Sequence, residues 1–401
     1  VTEVVHLVEN GPPQDVPVDA ATGAAVRATG LVDAVPTPDG RSWTLRPTSA
    51  VGAVRVGNLE VHVAPKVPID RVVFLLQNST AGVRWHDGDV DVAEEPDLLR
   101  AVVEVFERTT SRALRQGLLQ GYRTVEEALP VVRGRVREEE QIRRRFGLFV
   151  PVEVRYDDFT PDTAENRLLR SALHVARRLP GLGVDLGRRL LRLESRFADV
   201  TLVASRHGLE PWRPTRLNTR LHTSLRLAEA ILLGSSFEDL GSGLRVTGFV
   251  VSMAKVFEDF LTAALTPRLA AFGGTVTGQR EQAFDVDGQV RIRPDLVWSD
   301  GSRDLSVVDA KYKAEKPSGF PNADYYQMLA YCSVLGLTRG HLVYARGNET
   351  LSSVVVEGSG VEIVTHVLDL SLAPTELMSA VDELAQQVGR TVSVTPLSPG
   401  L

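Results

Sequence analysis

Cysteine is almost missing from this chain: Cys332 stands alone among 401 residues. One thiol excludes an internal disulfide and points to a reducing compartment. The eight histidines form no close pair, and neither CxxC nor HExxH occurs, so a structural zinc site is not expected. No run of 18 apolar residues occurs, so no membrane span is expected. The first residues, VTEVVHLVEN, have neither a basic n-region nor an apolar h-region, so a cytoplasmic protein without a signal peptide is expected. GxxxxGK[ST] is absent, which argues against nucleotide hydrolysis by this chain. Lysine is also scarce. Of 45 basic residues only Lys66, Lys255, Lys311, Lys313 and Lys316 are lysine, and the last three lie within six positions. Lysine is a compact point charge that can sit beside a nucleophilic water, where arginine acts as a planar fork.

A length of 401 residues exceeds one ordinary core, and 43% apolar with 24% charged residues is the composition of a globular protein. The net charge of −6 is unevenly spread: residues 1–100 sum to −6, 101–250 to +6 and 251–401 to −6. Only the middle third is basic. Phosphate neutralisation drives non-specific DNA affinity, so an acidic C-terminal third would hold DNA poorly alone and rely on a partner, unless its acidic residues cover remote faces.

The pattern predicts a multi-domain α/β chain. Residues 1–95 read as a β-rich N-terminal domain, with strands at Val4–Val8, Ala24–Thr29, Trp43–Pro47 and Val51–Val67. Val54–Val63 alternates around Gly57-Asn58, the signal of a hairpin. Residues 96–235 read as a mainly helical stalk. Pro96-Asp97 opens its first helix, Asp162 or Thr163 caps another, and β-like pieces lie at Val131–Val136 and Val150–Arg155. Gly234–Gly243 reads as a linker. Residues 244–395 read as an α/β domain: a long helix at Phe249–Phe272, strands at Gly278–Phe284, Val290–Trp298 and Leu305–Ala310, a helix at Ala323–Leu335, further strands, and a helix at Pro374–Val388.

The most informative stretch is Pro294–Lys313, PDLVWSDGSRDLSVVDAKYK. Alternation places Asp309 and Lys311 on one face of a strand buried on both sides. A charge there is costly unless paired or bound to metal. A buried Asp309–Lys311 ion pair would satisfy those two residues but leave Asp295 without a role. Asp295 arrives from the preceding strand, where register decides its face. A two-residue Asp300-Gly301 turn would pair residue 295 with 306 and send the two carboxylates apart. An odd turn or a bulge, with Pro294 as one plausible irregularity, brings them together. Asp295 and Asp309 would then be hard oxygen ligands for Mg²⁺ or Mn²⁺, the Ala310 carbonyl a further one, and Lys311 would position a water or stabilise an oxyanion. Glu258, at the edge of a helical apolar stripe, is either a third metal or water ligand or a boundary residue. Gln327 and Tyr331 share a helix face with Asp324 one turn earlier, either facing the site or forming an ordinary amphipathic helix. Lys313 and Lys316 are phosphate contacts or solvated loop residues. Cys332 reads as packing.

These residues resemble the PD-(D/E)xK nuclease superfamily, and the QxxxY element formed by Gln327 and Tyr331 resembles its RecB-like branch. The closer resemblance is to the McrC family, the nuclease subunits of McrBC-type modification-dependent restriction systems. It rests on RVGNLEVHVAPKVP (55–68), RGRV with RYDDFTPDTAENRLL (155–169), GFVVSMAKVFEDFL (248–261), PDLV, VDAKYK and NADYYQMLAY (322–331), in that order. The resemblance implies a restriction-endonuclease-like C-terminal domain with Asp295, Asp309 and Lys311 as its catalytic triad. It implies cleavage of methylcytosine-containing DNA only with McrB, an AAA+ GTPase hexamer that binds the nucleotide. It also implies a stalk in the motor's pore that stimulates GTP hydrolysis. Arg133–Arg137 (RGRVR) is a candidate for that stimulation by analogy to arginine fingers, or else a surface turn. A departure is the eight-residue connection before NADYYQ, which would narrow the DNA entry. The alternatives are a stand-alone RecB-like repair nuclease and a non-catalytic adaptor that activates a motor.

Overall fold

The N-terminal segment builds a sheet whose central strand is buried on both faces. In the computed structural model, residues 3–79, 97–146, 148–203, 208–239, 245–314, 322–346 and 352–390 are described. The first elements are β1 (Glu3–Val8), β2 (Gln14–Val16), α1 (Ala20–Ala28), β3 (Val32–Pro36), β4 (Trp43–Pro47), β5 (Ala50–Val56), β6 (Leu59–Ala64) and α2 (Ile69–Gln77). The expected hairpin is present. Val56 pairs with Leu59 across a two-residue Gly57-Asn58 turn, with Gly57 at φ +57°. The strand expected at Ala24–Thr29 is instead α1 and its C-cap. Asp19 accepts a hydrogen bond from the Thr22 amide at 2.7 Å and starts the helix. Gly23 then lets α1 press on the Trp43 ring, where a Cβ would lie 2.2 Å from a ring carbon. Val26, Leu31, Leu45, Val54, Val56, Val61 and Val63 share one core.

The middle of the chain carries α3 (Leu98–Ala113), β7 (Gly121–Leu129), β8 (Arg135–Val136), α4 (Glu138–Arg145), β9 (Val152–Thr160), α5 (Ala164–Ala176), α6 (Gly183–Glu194) and α7 (His222–Gly234). Thr163 caps α5 by accepting from the Asn166 amide at 3.3 Å. Leu186, Leu190 and Leu193 form the buried stripe of α6. The reading of this region as mainly helical misses β7. Strands β7, β9 and β8 form an antiparallel sheet in that order. Most of β7 is exposed, so its sequence GYRTVEEAL has no clean apolar alternation to betray it.

The last third begins with β10 (Ser235–Asp239) and β11 (Arg245–Ser252). The expected linker is therefore partly strand, and its residues 240–243 lie outside the described set. The helix expected from Phe249 starts four residues later. Residues 246–252 of β11 instead pair antiparallel with β5, from Val246 opposite Val56 to Ser252 opposite Ala50. Ser252 caps α8 (Met253–Ala270). Then follow β12 (Thr275–Gly278), β13 (Gln282–Ala283), β14 (Arg291–Ile292), β15 (Leu296–Ser299), β16 (Asp304–Ala314), α9 (Asn322–Leu335), β17 (Arg339–Arg346), β18 (Ser352–Val355), β19 (Glu362–Val367) and α10 (Pro374–Arg390). The sheet runs β12-β15-β16-β17-β19-β18, with β16, β17 and β19 parallel. On one face Met328, Tyr331 and Cys332 of α9 pack with Val307, Leu342 and Tyr344. On the other, Phe257 of α8 meets Tyr312 with ring centroids 6.3 Å apart.

By contact the chain divides into two units, Val1–Val102 with Gly234–Leu401, and Val103–Leu233. The first is a mixed α/β unit whose N-terminal and C-terminal segments share a sheet through β11. The second is helical with one small sheet. No helix among the described residues is long and apolar enough to cross a membrane.

Candidate active site

The site is set by one misplaced residue. Strand β15 meets β16 through a turn closed by Ser299 opposite Asp304, and that register alone would put Asp295 opposite Val308. A shift between Trp298 and Ser299 leaves Leu305 as an extra residue. Beyond it Trp298 faces Ser306, Val297 faces Val307 and Leu296 faces Val308. Continued by one residue, the register sets Asp295 opposite Asp309. The expected irregularity exists, at Leu305 rather than Pro294. The turn is held by Asp300, whose Oδ1 accepts from the Ser302 amide at 2.9 Å and the Arg303 amide at 3.0 Å.

The β15–β16 pairing stops at Leu296, which frees the Ala310 amide from the ladder. Asp295 Oδ2 takes that amide at 2.8 Å, so the carboxylate replaces a missing strand. Gln279 Nε2 approaches Asp295 Oδ1 at 3.4 Å, and the Gln279 amide donates to the Asp295 carbonyl at 3.0 Å. Asp309 is 3% exposed, and its Oδ2 forms an ion pair with Lys311 Nζ. Lys311 Nζ also donates to Gln327 Oε1 at 2.7 Å, and Gln327 Nε2 donates to the Tyr331 hydroxyl at 2.8 Å. Asp324, one turn earlier and buried, accepts from the Tyr344 hydroxyl at 2.9 Å. Gln327 and Tyr331 thus face the site.

Burial, and after it the Asp309 charge, pushes the Asp295 carboxyl up to about 7. Burial raises Asp309 as well. Lys311 opposes that rise, and Asp324 and Glu258 add to it. Glu258 is near enough for its charge to act on both carboxylates, yet its Oε1 pairs with Lys255 Nζ at 3.0 Å. Lys255 also holds Asp259 at 2.8 Å. Among the described residues no three His, Cys, Asp or Glu side chains converge as a metal cage. The site therefore brings together Asp295, Asp309, Lys311 and Gln327, with Glu258 beside them on its own lysine. Two buried carboxylates that repel each other form a donor set suited to a hard divalent cation, which keeps several waters and needs few protein ligands. The Lys313 side chain and Lys316 lie outside the described residues.

Sequence reasoning missed Gln279, Lys255, and the Arg280 fork that grips Asp304 at 2.8 and 2.6 Å at the base of the turn. Gln279 has φ +52°, a left-handed backbone that no residue type announces. The rarity of lysine was the one available signal for Lys255.

Comparisons with known proteins bear on the family and the fold. Residues 45–345 match the family described as McrBC 5-methylcytosine restriction system component. No curated protein matches the chain. A similar solved chain belongs to a refined half-complex from a tetradecameric assembly of Thermococcus gammatolerans McrB AAA+ hexamers with bound McrC. It is 17% identical, with a TM-score of 0.56, covering 96% of this chain and 100% of that one. A chain of the cryo-EM structure of the Thermococcus gammatolerans McrBC complex is 19% identical, with a TM-score of 0.42, covering 67% of this chain and 88% of that one. The first of these supports the fold.

Proposed function

The chain belongs to the family of McrBC 5-methylcytosine restriction system components, and from that premise we propose that it is the DNA-cleaving subunit, a metal-dependent endonuclease of the PD-(D/E)xK type that works with an AAA+ GTPase. The observation that carries the reading is the Leu305 bulge, which brings Asp295, one residue beyond the paired Leu296, to the register of Asp309, itself paired with Lys311. A purely structural Asp309–Lys311 pair needs neither the bulge nor a second buried carboxylate.

Asp295 and Asp309 would hold Mg²⁺ or Mn²⁺. The ion would supply charge stabilisation at the scissile phosphate and acidify a bound water. Lys311, aimed by Gln327 and Asp309, would orient the attacking water or stabilise charge developing on the phosphate. Tyr331 fixes Gln327 and so fixes the lysine's direction. Glu258 with Lys255 would border the water's approach from α8.

The partner reading has its own support. The similar solved chain is McrC bound to McrB AAA+ hexamers. The small sheet of the second unit exposes Tyr122 and Phe159, the connection between β7 and β8 exposes Val131 and Val132, and α4 with the segment after it exposes Ile142, Phe146 and Phe149. Within the RGRVR segment, Arg133 pairs with Asp158 at 2.6 Å and lies 3.9 Å from the Tyr156 ring centroid. Arg137 pairs with Glu126 at 3.0 Å. Arg135 is exposed and takes part in no ion pair among the described residues, so it is the arginine best placed to reach a motor and stimulate its GTP hydrolysis.

The test is cleavage of methylated DNA by the purified chain with Mg²⁺, with and without an AAA+ partner and GTP. The reading expects cleavage with the full set and loss of roughly a hundredfold or more in Lys311→Ala. Cleavage without any partner would favour a stand-alone nuclease. Stimulated GTP hydrolysis with no cleavage at all would favour an adaptor.

A further inference from the structure

Two sequence motifs that no part of the catalytic reading connects meet at a single buried carboxylate. Glu9, just past the end of β1, is 1% exposed. Its Oε2 accepts from the Lys66 backbone amide at 3.2 Å, inside the VAPKVP motif. The same oxygen accepts from the Tyr312 hydroxyl at 3.1 Å, inside the VDAKYK motif. Its Oε1 accepts from Asn10 Nδ2 at 3.3 Å. All these residues belong to the same compact unit.

Tyr312 lies next to Lys311 and, by strand alternation, on the opposite face of β16. Its ring rests against Phe257, which precedes Glu258 on α8. The hydroxyl therefore ties β16 to the N-terminal segment behind the site, while Asp309 and Lys311 face α9 in front. A second tie runs in parallel. The Met253 amide, at the start of α8, donates to the Ser49 carbonyl at 3.0 Å, so the helix that carries Glu258 also starts from the N-terminal sheet. Behind the strand lies a cleft of about 590 Å³, lined in part by Glu9, Lys66, Tyr312 and Asp369. With that space beside the tyrosine, packing alone does not fix its hydroxyl. A bulge-dependent register and a carboxylate standing in for a missing strand leave the end of β16 short of ladder bonds on its β15 side, where such a tie has most effect.

We propose that Glu9 and Tyr312 are positioning residues for the nuclease site. Their hydrogen bond holds β16 so that Asp309 stays opposite Asp295 and Lys311 stays on Gln327. The N-terminal segment is then part of the cleavage machinery. The inference rests on the nuclease reading above.

The experiment compares wild type, Tyr312→Phe, Glu9→Gln and the double variant as full chains, with Tyr325→Phe as a control that loses a different tyrosine hydroxyl, the one on Thr365. Three quantities are read: hydrogen exchange of the 304–314 segment without metal, Mn²⁺ affinity by calorimetry without DNA, and cleavage with the AAA+ partner and GTP. Tyr312→Phe is expected to speed exchange of that segment and weaken Mn²⁺ binding severalfold. It should lower the maximal cleavage rate by about tenfold, less than the ~100-fold cost of a 1 Å misplacement, with KM for DNA unchanged. Tyr312→Phe should cost less in the Glu9→Gln background than in the wild type, because the two residues share one bond while Glu9 also serves the Lys66 amide and Asn10. Unchanged exchange and Mn²⁺ affinity in Tyr312→Phe would overturn the proposal, as would equal effects in Tyr325→Phe. If Glu9→Gln fails to fold, the Tyr312→Phe readings still decide. A wild type that neither cleaves nor binds Mn²⁺ would defeat the nuclease reading instead, and the exchange measurement would still report on the tie.

Discussion

Replacing Asp295 by asparagine should make the metal-free protein more stable while removing cleavage. The carboxyl is held up to about 7, against an ordinary value of 3.8. One pKa unit corresponds to about 1.4 kcal/mol, so a rise of roughly three units makes the ionised native state about 4 kcal/mol less favourable above pH 7 than an unperturbed carboxylate would. Asparagine keeps an oxygen for the Ala310 amide, now at 2.8 Å from Asp295, and removes the repulsion from Asp309. Relaxation around the site makes about 4 kcal/mol an upper bound, and about 2 kcal/mol is a realistic expectation. The sign follows from the direction of the shift. A carboxyl raised on folding costs nothing below its unfolded value near 3.8, costs progressively more as pH rises toward 7, and costs a constant amount above that. The advantage of Asp295→Asn should therefore be absent near pH 4 and complete by pH 8. Urea unfolding of both proteins in EDTA at pH 4.5, 6, 7 and 8 measures it. An asparagine variant less stable than wild type at pH 8, or a difference that does not change with pH, would refute the electrostatic account. Adding Mg²⁺ should reverse the order, since only wild type gains the binding free energy of the ion.

Other substitutions probe other links. Gln327→Leu should lower the cleavage rate roughly tenfold without changing DNA affinity, because it frees Lys311 from its guide; an unchanged rate in single-turnover kinetics would remove Gln327 from the site. Arg135→Ala should cut stimulation of the partner's GTP hydrolysis by at least about tenfold, while Arg133→Ala acts mainly through the small sheet; the reverse pattern in a GTPase assay would reject the assignment. Asp162 accepts from Nε and Nη2 of Arg167 at 2.8 Å each, from Arg123 at 2.8 Å and from the Thr201 amide at 2.7 Å, so Asp162→Ala should destabilise the second unit by about 3 kcal/mol in denaturant titration. In the Asp295→Asn background, stability should fall as pH drops below about 6.5. His341 and His366 are buried, stacked and held down to about 3 and about 4, so the unfolded chain takes up protons that the fold refuses, at up to about 1.4 kcal/mol per pH unit for each ring. A flat profile between pH 6.5 and 5 would show that the pair does not act this way.

What could be read from the chain alone follows the range of the forces involved. The Gly57-Asn58 hairpin, the Thr163 cap and the i, i+4 pair on α9 depend on neighbours within a few residues, and all are present. The alternation that put Asp309 and Lys311 on one face needed only a strand. The need for an odd turn or a bulge followed from chemistry, because two carboxylates that act together must share a face, yet its kind and position did not. Arg280 and Asp304 hold the base of the turn, and the extra residue falls at Leu305, where neither Gly nor Pro marks it. The second half of β11, from Phe249, reads as helix because its partner β5 lies almost two hundred residues earlier and no local pattern records that pairing. Glu9 had no visible role for the same reason. It is an acid among valines whose partners are Lys66 and Tyr312.

The pairing of β11 with β5 also orders events during synthesis. Strand β5 leaves the ribosome early with one edge unpaired, and Val56 must wait for Val246 before its sheet is complete. The second unit, residues 103–233, emerges entirely within that interval. At elongation rates of about 5–20 residues per second the interval lasts on the order of ten seconds or more, long enough for a helical unit to fold first. The second unit is then ready before Asp295, Asp309 and Lys311 have been translated. On the proposed reading a nascent chain lacks its cleavage site until synthesis is nearly complete, because β11 of the N-terminal sheet and the sheet that carries Asp295 and Asp309 arrive together at the end.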